Sequence, residues 1–357
     1  MNSDTGKYWS DGDEEEGKQE RTTLPTALQD FFMFHETNNS SERTINNYRD
    51  RIASFVDWLC TECKLTYVDQ VRIRHLRGYV SFLQNKITKR GYPLADTTIS
   101  QYTLEATIFC HWLEREGLMS KTITENFEMP KYERRETPAL TYSDVQKLLA
   151  VCEEGPKGQP RVCKALTARN KAIVSVLFDA GIRRSELAGL RLGDIDRQMR
   201  LLYVKRKGRK WQQVPISYEG FKPLHEYITR YRPILAALGP GTGSKKDDPV
   251  FLDRYGKPIT PGGIGALFTR LRDRSGITDK PVRSHQGRRY MATTQLSEGR
   301  NPLDVQRQMG HTSLLMTNRY YSQTVEGLKK SHEQHSPLRK RSKDDHSSGM
   351  GAGYYEE

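Results

Sequence analysis

Cysteines, long apolar runs and clustered carboxylates are all scarce in this 357-residue chain. Five cysteines, Cys60, Cys63, Cys110, Cys152 and Cys163, form no regular framework and leave an odd count, which excludes a disulfide scaffold and fits reduced thiols. Cys60 and Cys63 make a CxxC, but with no second pair or spaced histidines nearby they read as neighbours on a helix face rather than as a zinc site. No apolar run approaches the roughly 20 residues that span a bilayer. The N-terminus MNSDTGKYWSDGDEEEG lacks the basic and apolar segments of a signal peptide. No group of carboxylates suggests a metal, and no cofactor is expected. These absences point to the cytoplasm and to no membrane partner.

What the chain has is positive charge, unevenly placed. Lys plus Arg number 57 against 44 Asp plus Glu, a net +13. Residues 1–20 hold seven acids against Lys7 and Lys18, so they carry −5 and the remainder carries +18. A polyanion is therefore the first partner to expect, because neutralising phosphates releases counterions. Charge alone does not separate DNA from RNA or an anionic membrane.

The pattern divides the chain into five parts. Residues 1–21 offer almost nothing to bury and read as a disordered acidic tail. Residues 22–129 read as an all-α bundle. Ile45, Tyr48, Ile52, Phe55, Val56 and Leu59 make one apolar stripe on a helix that Ser41 can cap. Leu104, Ile108 and Trp112, with Phe109 and Leu113 beside them, make another that Gly117 ends, and Val68 to Ile87 looks like a helix between the two. Residues 130–139, including PKYERRETP, read as a charged linker bracketed by prolines. Residues 140–335 read as a mixed α/β, mainly helical domain. In it Thr141 or Ser143 caps a helix, and a stripe of Ile173, Val176, Leu177 and Ala180 stops at Gly181. RLLYVKRKGRKWQQVPIS makes a β-hairpin turning at Lys207-Gly208. Helices follow through Phe221, Leu224 and Ile228, through Ile264 to Leu271, and from Pro302 to a stop at Gly310. Residues 336–357 read as a second disordered tail, whose basic LRKRSK is solvated.

Six dispersed residues stand out in the larger domain: Arg183, Lys207, His285, Arg288, His311 and, nine positions after that histidine, Tyr320. Cleaving a phosphodiester without a metal requires neutralised non-bridging oxygens, a nucleophile and a proton for the leaving oxygen. Arginine suits the first task, since its planar fork donates parallel hydrogen bonds and stays charged. His285 and Arg288 share one face if SHQGRRY is helical. Lys207 can protonate a leaving oxygen, and Tyr320 can attack phosphorus to form a covalent bond. Singly, each has a plainer reading: a surface charge, a solvated helix face, a core tyrosine. Lys205, Arg206, Arg209 and Lys210 around Lys207, and Arg289 beside Arg288, read as contacts to a DNA backbone.

The order of the motifs is more specific than any member. AGIRRSELAGLRLGDID, VKRKGRKWQQVPI and SHQGRRYMATTQLSEGRNPLDVQRQMGHTSLLMTNRYY resemble the arginine boxes and lysine hairpin of the tyrosine recombinase family, the phage-integrase and Xer-type site-specific recombinases, over about residues 24 to 325. The resemblance implies a helical core-binding domain of SAM-like type and a catalytic domain closing around DNA. It implies that Arg183 and Arg288 hold the scissile phosphate and that Lys207 is the general acid. His285 would assist proton transfer, His311 would bond the phosphate, Glu186 would orient the site, and Tyr320 would form a 3′-phosphotyrosyl link. Partners implied are double-stranded DNA recombination sites at the nucleoid, a homotetramer working through a Holliday junction, and an accessory directionality factor; neither ATP nor a metal is required. Arg289 stands where the family often has histidine, NFEMP replaces the usual Asn-Pro before the linker, and the offset from His311 selects Tyr320 over Tyr321. Two other readings share parts of the pattern. A type IB topoisomerase-like relaxing enzyme conflicts with the separate helical domain, and an inactive DNA-binding regulator conflicts with six positions all filled by competent residues.

Overall fold

The computed structural model describes residues 21–89, 91–120, 122–132, 138–153, 158–206, 210–239, 245–311, 313–318, 320, 329, 332–333, 336 and 338. The chain divides into two compact units, Met1–Arg135 and Glu136–Glu357. Together they give the expected class: an all-α bundle, and a mainly helical α/β unit with a small sheet.

The first unit contains α1 (Leu24–Thr37), α2 (Glu42–Thr61), a 3-10 turn (Val68–Gln70), α3 (Ile73–Asn85), α4 (Asp96–Arg115) and the short α5 (Thr122–Glu125). Ser41 caps α2 by accepting the Thr44 N–H, and Ile52, Phe55 and Leu59 are fully buried. The rings of Phe109 and Trp112 meet Phe31 of α1 edge-on. Four details differ from the sequence pattern. Leu104 is 43% exposed, because α4 turns Ile99, Thr103, Ala106 and Phe109 inward, Thr103 satisfying its hydroxyl on the Ile99 carbonyl. The stretch from Val68 to Ile87 is a 3-10 turn and then a helix that stops at Asn85. Cys63 lies beyond the end of α2, so it does not share a helix face with Cys60; both are free thiols. Arg21, assigned to the acidic tail, belongs to the bundle: it donates to both Asp69 oxygens at 2.8 Å and lies over the Tyr67 ring.

The second unit runs through α6 (Tyr142–Val151), α7 (Pro160–Asp179), α8 (Arg184–Ala188), then strands β1 (Ile195–Asp196), β2 (Leu201–Lys205) and β3 (Trp211–Pro215). The strands form one antiparallel sheet in the order β1-β2-β3, with Leu202 opposite Val214, Val204 opposite Gln212 and Lys205 opposite Trp211. The hairpin was legible in the sequence; β1 was not, being two residues long. Next come α9 (Tyr218–Glu226), a wider π turn (Tyr227–Tyr231), α10 (Arg232–Ala236), α11 (Pro261–Ser275), α12 (Ser284–Ser297), α13 (Pro302–Met309) and α14 (Leu314–Asn318). Thr141, not Ser143, caps α6, in a reciprocal capping box with Asp144. Lys280 also bonds Asp144, and these contacts outweigh its burial and hold the Asp144 pKa down to about 2. Among the described residues no helix is long and apolar enough to cross a membrane.

Central to the second unit is α7, whose Ala172, Ile173, Val174, Val176 and Leu177 are fully buried. The helix α12 lies against it at Gly287, where a Cβ would stand 2.9 Å from both the Leu177 carbonyl oxygen and Phe178 Cδ2. One of those neighbours is backbone, so the helices must separate to admit a methyl group. Gly287→Ala should therefore lower stability by about 1–3 kcal/mol, read as a reduced denaturant midpoint with an unchanged slope.

Candidate active site

The site is assembled at the ends of helices. The stripe of α7 closes at Ala180, Gly181 takes a φ of +66°, and the chain reverses so that Arg183 becomes the residue preceding α8. The left-handed backbone at Gly181 calls for glycine; a Cβ would also meet the flexible tip of the Met291 side chain, which would have to move aside. Arg183 donates its backbone N–H to Glu186 Oε2 at 2.7 Å and its Nη1 to Oε1 at 2.8 Å. Arg206 Nη1 lies 2.9 and 2.8 Å from the same two oxygens. Burial pushes the Glu186 pKa up, but the Arg183 N–H, the Arg183 guanidinium and Arg206 together outweigh it and the carboxyl ends below its ordinary value. Glu186 is a buried, ionised carboxylate.

Arg288 lies on α12 three residues after His285, as the HxxR spacing requires of a helix. It is 2% exposed, donating Nη1 to the Gly181 carbonyl at 2.9 Å and Nη2 to the Met309 carbonyl. One side chain thus ties the end of α7 to the end of α13. Burial, followed by the charges of Arg183 and Arg206, lowers the Arg288 pKa to about 10, which leaves it protonated at neutral pH. His285 opens onto solvent on one side. Burial of its other side, then Arg288, Arg183 and Arg289, lowers its pKa.

His311 follows Gly310, whose φ of +62° ends α13. Its Nδ1 lies 2.9 Å from the Thr317 hydroxyl oxygen, on a fully buried residue. Burial first, then Arg288, Arg183, Arg206 and His285, lowers the His311 pKa to about 4, so the ring is neutral. The ring of Tyr320 lies nearly parallel to it, 17° between planes and 6.1 Å between centroids. Tyr320 is half-buried against Met291, Ala292, Leu296, Val305 and Met309, a small core made by α12 and α13. Arg183, Arg288, His311 and Tyr320 are thereby brought together, with Glu186 behind them.

The basic hairpin divides. Lys207 and Arg209 lie outside the described residues, as does Tyr321. Lys205 and Lys210 are exposed, at the end of the hairpin where β2 and β3 are joined through residues 206–210. The Arg206 side chain is only 8% exposed and committed to protein partners: besides Glu186, its Nε bonds Gln212 Oε1 at 3.0 Å and its Nη2 the Gln308 carbonyl at 2.8 Å. Its grouping with backbone-contacting cations overlooked the strand alternation, since Leu202, Val204 and Arg206 fall on one face and Leu202 and Val204 are buried. Arg289 is half-buried, with a buried Nε that has no hydrogen-bond partner. Gln212, Gln308 and Thr317 escaped the sequence reading. For Gln212 the signal was its register opposite Val204; Gln308 and Thr317 carried none beyond lying near His311.

The description "phage integrase family" belongs to the family model that matches residues 138–326. The chain is 29% identical over 270 residues to the tyrosine recombinase XerC of Lactobacillus delbrueckii subsp. bulgaricus, covering 75% of this chain and 84% of that protein. It is 27% identical over 325 residues to XerC of Listeria welshimeri serovar 6b, covering 90% and 99%. Its fold is similar to that of the Tn1549 transposon integrase solved in complex with a circular intermediate DNA, with a TM-score of 0.65 at 18% identity over 86% of this chain and 99% of the other. With more than half of its length matched, and with the two arginines, the histidine and the tyrosine gathered at one place, the chain belongs to the phage integrase family of tyrosine-type site-specific recombinases.

Proposed function

We propose that this recombinase cuts and rejoins double-stranded DNA through a covalent bond between Tyr320 and the 3′-phosphate at the break. The observation that supports it most is the packing of Tyr320 beside His311 and within the electrostatic reach of Arg288, which in turn neighbours Arg183. In the proposed step the Tyr320 oxygen bonds phosphorus as the bond to the 5′-oxygen breaks. The tyrosine proton passes to His285, whose lowered pKa keeps it neutral and able to accept. The departing 5′-oxygen takes a proton from Lys207, an assignment that rests on the sequence motif. Arg183 and Arg288 neutralise the non-bridging oxygens and His311 donates a hydrogen bond to one of them. If the Thr317 hydroxyl donates to Nδ1, the single proton of the neutral ring sits on Nε2, the tautomer that can donate.

Tyr320 packs on the core of its own unit, which favours attack within the same protomer. The phosphotyrosyl bond conserves the energy of the phosphodiester, so religation to a second strand needs neither ATP nor a metal. Exchange between two duplexes calls for four protomers and a Holliday junction, on recombination sites at the nucleoid, with an accessory factor setting direction. The relatives named tyrosine recombinase support the strand-exchange reading over a relaxing enzyme or a binding regulator.

Covalent capture tests it. Protein mixed in EDTA with genomic DNA of its host and denatured in detergent should yield defined protein-linked fragments from the wild type and from Tyr321→Phe, and none from Tyr320→Phe, which should still bind DNA. Loss with Tyr321→Phe alone would move the nucleophile, and no capture from a wild type that binds DNA tightly would favour a regulator. Arg288→Ala should slow capture at saturating DNA by about 10²–10³-fold.

His311 gives a second check. By NMR its ring should stay neutral down to about pH 4, against about 6.5 for an ordinary histidine. Because the folded pKa is depressed, the unfolded chain takes up the proton first. This contribution to stability is therefore complete above about pH 6.5 and declines as pH falls toward 4. His311→Gln should flatten that segment of the denaturant midpoint plotted against pH.

A further inference from the structure

Three consecutive carbonyls at the C-terminus of α13 are each taken by a side chain from elsewhere in the chain. Gln212 Nε2 bonds that of Arg307, Arg206 Nη2 that of Gln308 at 2.8 Å, and Arg288 Nη2 that of Met309. A helix C-terminus presents unpaired carbonyls and partial negative charge, so two guanidiniums are well placed there. The next residues are Gly310 and His311. A Cβ on Gly310 would lie 2.8 Å from Gln212 Oε1 and 3.1 Å from Arg206 Nε, so the turn that presents His311 is seated directly on the Arg206–Gln212 pair. The same Arg206 guanidinium bonds Glu186, which holds both the backbone N–H and the Nη1 of Arg183.

We infer that Arg206 is a positioning residue: through Glu186 it sets Arg183, and through the Gln308 carbonyl it sets the turn carrying His311. This rests on the reading that Arg183 and His311 hold the phosphate that Tyr320 attacks. Arg206 itself does not touch that phosphate. Its planar fork serves three acceptors in fixed directions, Glu186, Gln212 and the Gln308 carbonyl, which the single ammonium of lysine cannot do. The rival role, a contact to the DNA backbone, predicts something different: weaker binding and a salt dependence reduced by about one phosphate.

The experiment uses the full chain and a duplex carrying a site recovered by covalent capture, with wild type, Arg206→Lys, Arg206→Ala and Gln212→Ala. DNA affinity, its salt slope and the rate of covalent complex formation at saturating DNA are measured for each. Both Arg206 variants should bind DNA within about twofold of wild type, with an unchanged salt slope. Their saturating rates should fall about 10²-fold, the scale of a small misplacement of catalytic groups; Gln212→Ala should lose less. The His311 pKa, held down first by burial and then by Arg288, Arg183 and Arg206, should move up from about 4 in Arg206→Ala, which loosens the turn and removes one of those cations.

Weakened affinity and a shallower salt slope with an unchanged saturating rate would overturn the inference, as would full rescue by Arg206→Lys. If Arg206→Ala does not fold, Arg206→Lys and Gln212→Ala carry the same comparison, since each leaves a cation at position 206. A wild type that binds DNA but captures no site would overturn the underlying reading and this inference with it, whereas an active wild type with equally active Arg206 variants would overturn this inference alone.

Discussion

One buried carboxylate allows three guanidiniums to share a corner of the second unit. Burial first, and then neighbouring guanidinium charge, lowers the proton affinity of Arg206 and of Arg288, and Glu186 is the anion set among these two and Arg183. Like charges within several ångströms repel by a few kcal/mol at an effective dielectric of about 20. Stripping water from a carboxylate also costs several kcal/mol. Neither expense is tolerable alone. Together they offset, because the carboxylate receives an N–H and two guanidiniums, and Arg206 and Arg288 find carbonyls at helix ends for further donors. The cluster is therefore a unit: removing Glu186 leaves Arg206 and Arg288 buried with unbalanced charge.

Helix termini supply those carbonyls. The end of α7 gives Ala180 and Gly181, bonded by Gln308 and Arg288, and the end of α13 gives residues 307 to 309. Both helices stop at a left-handed glycine, so in each case the last turn is exposed to a neighbour instead of continuing. A glycine stop does double duty here. It redirects the chain so that Arg183 or His311 faces the site, and it leaves carbonyl groups for the arginines to bind.

Most of this could be read from the sequence because most of it is local. The stops at Gly181 and Gly310, the helix carrying His285 and Arg288 three residues apart, and the hairpin around Lys207-Gly208 are all set within a few residues. What escaped is non-local. The stripe read through Leu104 differs from the buried face of α4, which includes Glu105, held by Arg51, 54 positions away on α2. Arg206 reads in the sequence as a contact to a DNA backbone because its acceptors, Glu186 and the Gln308 carbonyl, lie 20 and 102 positions distant. Alternation along β2 placed Arg206 on the inner face, but burial of a charge becomes credible only once its partner is known.

The charge balance of the cluster also limits what it can do. Three guanidiniums against one carboxylate leave about two positive charges, since a histidine with a pKa near 4 adds none at neutral pH. In the described cluster that excess has no protein counterion. A phosphodiester brings one negative charge, and attack by an oxygen nucleophile raises the charge on its oxygens toward two. On the proposed reaction, the cluster would be matched more closely to the transition state than to the bound substrate, which is the condition for an electrostatic contribution to rate rather than to binding. A cationic His311 would add a third charge in excess of that match and would be repelled by the arginines already present. A neutral, half-buried ring bonded to Thr317 would, on the proposed reaction, direct a hydrogen bond and leave proton transfer to groups at the open side of the site.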